Sequence, residues 1–167
     1  MQIKPFLKWV GGKTKLLNEI DQRLPDFVKN SSFNYVEPFL GGGAVFFHLI
    51  SKYNIKKSYL NDLNNKLIRT YIDVRDNSDK LIKALMKLES SYYQASDKKD
   101  SYLKKRTEFN KLSLSVKKSA LFILLNKTCF NGMYRENSKG QYNIPFGDMK
   151  DPKICDKVLI ENISKLL

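Results

Sequence analysis

Asn34-Tyr-Val-Glu37, then Pro38-Phe-Leu-Gly-Gly-Gly43, then Ala44-Val-Phe-Phe-His-Leu-Ile50, is the stretch that decides the fold. The first four residues are types that suit a pleated strand. The three glycines allow backbone to approach a ligand closely. The apolar run after them reads as a buried helix, whose N-terminus would offer free N–H groups and a positive dipole end to an anion. The same glycines would equally serve a plain tight turn between core elements, and a lone glycine motif does not choose between the two. Two further positions narrow the reading. Lys57-Ser-Tyr-Leu-Asn-Asp62 reads as a second strand ending in an acid, 21 positions after Gly41, the spacing at which a strand-end acid meets ribose hydroxyls. Phe46 stands where a dinucleotide fold needs a third small residue, which argues against NAD or FAD. The expectation is an α/β fold with a nucleoside site that has no need of a pyrophosphate.

The 167 residues carry a net charge of +13 with 42% hydrophobic content. That is a globular composition with an excess of positive charge suited to a polyanion, nucleic acid more than an acidic membrane. The 25 lysines against five arginines also fit a lysine-rich proteome, so charge alone leaves both open. Cys129 and Cys155 form no C-x-x-C pair. A disulfide framework and a zinc site are not expected, and a reducing compartment is. No signal peptide or long apolar span is present in the sequence. His48, the single histidine, sits in an apolar helix and reads as a core histidine with its hydrogen bonds satisfied.

The chain opens with Phe6-Leu-Lys-Trp-Val-Gly-Gly-Lys13. Trp9 reads either as a core anchor or as packing on a ligand beside Lys13, which can pair with a carboxylate or phosphate. The Walker pattern is not met, because no glycine stands five positions before Gly12. Residues 14–24 read as one amphipathic helix, with Leu16, Leu17, Ile20 and Leu24 on its face and Pro25 ending it. Residues 64–75 read as a helix with Leu67, Ile68, Tyr71 and Ile72 inward. Residues 78–127 read as three helices, with Tyr102, Arg106, Phe109 and Asn110 on the second. Then comes a hairpin-like excursion with turn signals at Asn131-Gly132 and Lys139-Gly140 and a short strand at 142–146. Phe130, Tyr134, Arg135 and Tyr142 interleave aromatics with a basic residue, as a small base-reading head would. Arg135 has the fork that can form two bonds to guanine O6 and N7. A helix over 156–167 closes the sequence.

Five blocks, Phe6–Lys13, Glu37–Gly43, Asn61-Asp-Leu-Asn64, Phe130-Asn-Gly-Met-Tyr-Arg135 and Asn143-Ile-Pro-Phe-Gly147, taken in that order, resemble the Dam-type DNA adenine-N6 methyltransferases and cover nearly the whole chain. The resemblance implies a partial Rossmann-like, S-adenosylmethionine-dependent methyltransferase sheet with an inserted helical and β-hairpin DNA-recognition domain. It divides the chain into residues 1–70 of the donor-binding domain, a recognition domain over 71–148, and a return helix over 149–167. It implies S-adenosylmethionine as donor and double-stranded DNA with a GATC-like site as target, in a bacterial or phage cytoplasm and a restriction-modification, repair or phage context. Trp9, Lys13, Glu37 and Asp62 fall on cofactor-binding positions, with backbone around Phe39, Gly41 and Gly43. Lys8 and Arg135 fall on base-reading positions, and Phe130 on the aromatic that enters the stack near the flipped adenine. Asn131 falls on a neighbour contacting the DNA backbone, and Met133 and Pro145 on apolar base-edge contacts.

The family's catalytic element, Asp-Pro-Pro-Tyr, does not occur. Asp151-Pro152-Lys153 lacks its second proline and its tyrosine. An amine conjugated with a purine is a poor nucleophile and needs those acceptors and an in-line approach. No catalytic residue is therefore assigned. The expectation is the N-terminal part of such an enzyme, inactive alone and completed by a C-terminal half or a second copy. A basic DNA-binding module without a cofactor is the alternative.

Overall fold

In the computed structural model, which describes residues 3–167, β1 (Phe33–Glu37) and β2 (Ile55–Leu60) form a two-stranded parallel sheet. Val36 is paired with Tyr59 and Glu37 with Leu60. A parallel pair needs a crossover, and the glycine turn with α3 (Ala44–Ile50) supplies it. Strand periodicity sorts the side chains. Tyr35 and Glu37 turn toward α3, where Phe46 and Phe47 are fully buried, and Tyr35 stacks on Phe46. Val36 and Tyr59 lie on the other face, 64% and 50% exposed. Asp62 stands two residues past the end of β2, but the ladder continues toward it: Asn61 N–H donates to Glu37 O at 2.9 Å and Leu40 N–H to Asn61 O at 2.8 Å.

The helical layer is α4 (Asn65–Asp76), α5 (Ser78–Gln94), α6 (Lys98–Lys111) and α7 (Val116–Thr128), followed by α8 (Lys157–Ser164). Four of these five helices begin at a side-chain cap. The side chains of Asn64, Asp97, Ser115 and Asp156 cap the N-termini of α4, α6, α7 and α8. Such caps satisfy amides that have no partner within the helix. Residues 118–126 of α7 are buried on every side, the signature of a central helix. Helices α4, α5 and α6 surround it, and α8 packs on α4 and α5. Asp73 is wholly buried and fully paired: Arg69 donates to it twice at 2.9 Å, Ser119 Oγ at 2.7 Å and Asn77 Nδ2 at 3.0 Å.

Three expectations are corrected. Residues 14–24 do not form one helix. A 3-10 turn, Lys13–Leu16, leads into α1 (Leu17–Gln22), and neither segment has a buried residue; Leu16 is 50% exposed. Neither segment has a side-chain cap. Pro25 opens the next helix, α2 (Asp26–Asn30). In α4 the inward stripe is Leu67, Thr70, Tyr71 and Val74, at the i, i+3, i+4, i+7 spacing. Ile72 lies outside it, 36% exposed. Residues 142–146 make no continuous strand, only isolated antiparallel bridges Glu136–Tyr142 and Cys129–Phe146. The reason lies in α6. Asn110 exchanges bonds with the Tyr142 peptide at 2.9 and 3.0 Å, and Tyr102 Oη and Arg106 Nη1 both donate to Ile144 O at 2.9 Å. Side chains of one helix face take the place of a partner strand.

Candidate functional site

Trp9, Lys13, Glu37, Phe39, Gly41 and Asp62 line one cavity of about 410 Å³ at the C-terminal end of the sheet. The sheet places Glu37 at the end of β1, and the turn after β2 delivers Asp62. That carboxylate braces the glycine bend: Oδ2 accepts from Gly41 N–H at 2.9 Å and Oδ1 from Asn64 N–H at 3.0 Å. Each oxygen keeps lone-pair capacity for a second donor. Glu37 is half-buried; burial pushes its carboxyl above the ordinary range, while bonds from Tyr35 Oη at 2.9 Å and the Phe46 amide pull it back. Lys13 Nζ donates to Gly11 O at 2.7 Å, and Phe39 stands at the rim, 84% exposed.

The glycines of the bend do different work. Gly41 has φ +51°, and a Cβ there would lie 2.8 Å from Trp9 Cδ1, so the indole rests directly on the bend. Gly43 does not line the cavity. It caps α3 at φ +73°, and a Cβ there would lie 2.7 Å from Tyr71 Oη and 2.9 Å from Phe47 Cε2. Core crowding and a left-handed backbone require this glycine.

The second group of site residues gathers beside Trp9. Lys8 N–H donates to Asn126 Oδ1 at 2.9 Å, and Asn126 Nδ2 donates to Lys8 O at 2.8 Å and to Gly132 O at 3.3 Å. The N-terminal segment is thereby pinned to α7 and to the first turn of the hairpin. Asn131 takes the left-handed conformation, φ +53°. Lys8, Phe130, Asn131, Arg135 and Pro145 are exposed, and Met133 is half-buried against the core. Arg135 Nε donates to Asn143 Oδ1 at 2.9 Å across the hairpin, and its two Nη groups have no hydrogen bond among the described residues. Half-buried Lys127 adds to this surface; burial, and then Lys8 beside it, lower its pKa.

Of the four interleaved hairpin residues, Phe130 and Arg135 face out. Tyr142 is 3% exposed and Tyr134 turns inward to stack on Trp9, with centroids 5.5 Å apart. Adjacent residues of an extended segment project to opposite sides, so Tyr134 and Arg135 could not both have faced a base. Sequence reasoning missed Asn126, whose signal was a polar side chain within the most apolar helix. It missed Glu136 and Lys66 as well, which pair at 2.5 Å. His48 is satisfied as expected, with Nε2 2.9 Å from Asp21 Oδ1. Among the described residues no helix is long and apolar enough to cross a membrane, and no cluster of side chains could hold a metal ion.

A family model described as D12 class N6 adenine-specific DNA methyltransferase matches residues 9–167. A Type II methyltransferase of Methanocaldococcus jannaschii is 45% identical over 173 aligned residues, covering all of this chain and 60% of the relative. A Type II methyltransferase of Lactococcus lactis is 38% identical, again over all of this chain and 56% of the relative. A DNA adenine methylase of Escherichia coli is 35% identical over 89% of this chain and 49% of its own length. The chain thus spans about half to three-fifths of the curated relatives it matches.

Proposed function

This chain belongs to the D12 class of N6 adenine-specific DNA methyltransferases, and on that premise we propose that it holds the S-adenosylmethionine cavity and the duplex-reading hairpin of an enzyme that methylates adenine N6 at a GATC-like site. The observation that carries the reading is the meeting of three distant sequence blocks, at Trp9–Lys13, Glu37–Gly41 and Asp62, on the walls of one cavity. Its chemistry fits the donor. Glu37 and Asp62 offer carboxylate acceptors suited to ribose hydroxyls and an amino group. Trp9 and Phe39 add apolar surface to the cavity wall for a purine, and the glycine bend lets backbone come close. Bound there, S-adenosylmethionine would supply an electrophilic methyl on a sulfonium sulfur.

Within this reading, Arg135 and Lys8 read base edges, Phe130 and Asn131 work at the stack and the DNA backbone, and Met133 and Pro145 make apolar contacts. The sheet with its glycine bend, residues 1–70, is the Rossmann-like donor-binding part. Residues 71–148 form the inserted recognition part, with α4 running through the junction as a shared element. Residues 149–167 return the chain. The acceptor side of the reaction has no residues here. The 167 residues contain no Asp-Pro-Pro-Tyr, and around Asp151-Pro152-Lys153 the contacts are structural: Tyr93 Oη donates to Pro152 O at 3.1 Å and Lys153 pairs with Asp156 at 2.8 Å. These residues by themselves therefore bind donor and duplex without turnover, and a partner carrying the acceptor motif completes the site.

Calorimetry with S-adenosylhomocysteine tests the proposal. The unaltered chain gives saturable heat, and Asp62→Ala weakens it by ~10-fold or more, as expected for a lost charged hydrogen-bond acceptor. No heat from a chain that melts cooperatively and binds duplex would leave the DNA-binding module without a cofactor.

A further inference from the structure

We propose that Tyr134 is a positioning residue that joins the hairpin to the donor cavity: it holds the Trp9 indole against Gly41, so that engagement of the hairpin by duplex tightens the donor site. This rests on the reading of both sites given above. The Tyr134 ring stacks on Trp9 at 5.5 Å and 22°, and Phe122 and Tyr142 pack on it, each with centroids at 5.5 Å. The indole also meets the glycine bend so closely that a single methyl at Gly41 would fall 2.8 Å from Cδ1. Trp9 is held between the cavity floor and the hairpin.

A second, polar route runs parallel to the first. The Tyr134 hydroxyl donates to the Glu136 carboxylate, which pairs with Lys66 Nζ at 2.5 Å. Lys66 lies in the first turn of α4, directly after the Asp62–Asn64 turn that lines and braces the cavity. Arg135, the exposed neighbour of Tyr134, cannot grip a base without fixing the backbone that carries the Tyr134 ring. Fixing that ring orders Trp9 before the donor arrives, which removes part of the ordering cost of donor binding.

Trp9 is the only tryptophan of the chain, so its emission reports on both sites. In the unaltered chain, S-adenosylhomocysteine and a GATC duplex should each change Trp9 fluorescence. The duplex should tighten S-adenosylhomocysteine binding by ~5-fold or more, whereas Tyr134→Leu keeps the S-adenosylhomocysteine response but loses the duplex response and tightens by less than ~2-fold. Tyr134→Phe, which keeps the ring, should retain the duplex response. The proposal is overturned if Tyr134→Leu answers duplex as the unaltered chain does, or if Tyr134→Phe loses the response entirely. It is also overturned if Tyr134→Leu loses its S-adenosylhomocysteine response and its cooperative melt together, which would make the residue structural only. An unaltered chain whose emission ignores S-adenosylhomocysteine fails the donor reading first, and this inference with it.

Discussion

Replacing Asn126 by alanine should unclamp the N-terminal segment from the helical layer. Asn126 is 4% exposed. Its amide accepts from Lys8 N–H at 2.9 Å, and donates to Lys8 O at 2.8 Å and Gly132 O at 3.3 Å. A neutral hydrogen bond contributes ~1 kcal/mol net, and a buried group left unpaired costs ~1–3 kcal/mol. The 3.3 Å bond contributes least, and the Lys8 peptide lies near the surface, where water can replace part of what is lost. The expected cost is ~2–3 kcal/mol, which for a chain of this size lowers the melting temperature by ~4–12 °C. The loss should also be local. Trp9 follows Lys8 directly, so its emission should shift to the red as the indole leaves its half-buried seat. Differential scanning calorimetry and intrinsic fluorescence measure the two effects. A melting point lowered by less than ~2 °C would refute the energetic argument. A large loss of stability with unchanged emission would show that Asn126 serves the α7 core and not the clamp.

Gly43→Ala should destabilise the chain by ~2–4 kcal/mol in urea unfolding, from a left-handed backbone combined with overpacking on Tyr71 and Phe47; an unchanged midpoint would contradict it. Arg135→Ala should cost ~1–3 kcal/mol on the cognate duplex and relax preference at one base pair, measured by fluorescence anisotropy across single-site duplex variants. An equal loss on every sequence would make Arg135 a phosphate contact. Burial opposes ionisation of Asp21, but bonds from Lys52, His48 and Tyr53 outweigh it and hold the carboxyl at about 2 against an ordinary 3.8. The folded state binds this proton later than the unfolded chain does, so the contribution is intact above pH 3.8 and is lost as pH falls through about 2. Asp21→Asn should flatten that part of the acid melting curve, and a variant whose stability falls as steeply as the unaltered chain's would exclude the cluster as its source.

The strand, glycine bend and helix were legible because strand chemistry, three consecutive glycines and an apolar run fall within 17 residues, each setting local backbone directly. Helix α4 and the three helices after it were legible from apolar spacing, another local signal, though the points where α5, α6 and α7 begin and end were not. What could not be read was set by distant partners. The 14–24 segment carries a helical pattern, but the fold offers its apolar face no buried seat. The 142–146 segment alternates like a strand, yet the Tyr142 peptide groups and Ile144 O are satisfied from α6 where a partner strand would lie. In the site, Glu37, Asp62 and Trp9 were found because each belongs to a recognisable block. The inward turn of Tyr134 depends on the side of the hairpin that meets Trp9, which no local pattern encodes.

The suspension of residues 142–144 from Tyr102, Arg106 and Asn110 carries a consequence for how this architecture tolerates changes in length. All three hooks lie along one stripe of α6, and inserting a single residue in a helix turns everything beyond it by about 100°. One extra residue between 102 and 110 would therefore point part of the set away and drop the arm. Extra residues at the exposed tip near Ser138 and Lys139 disturb none of these hooks. Length variation among descendants of this sequence should accumulate at the tip and be purged from the helix.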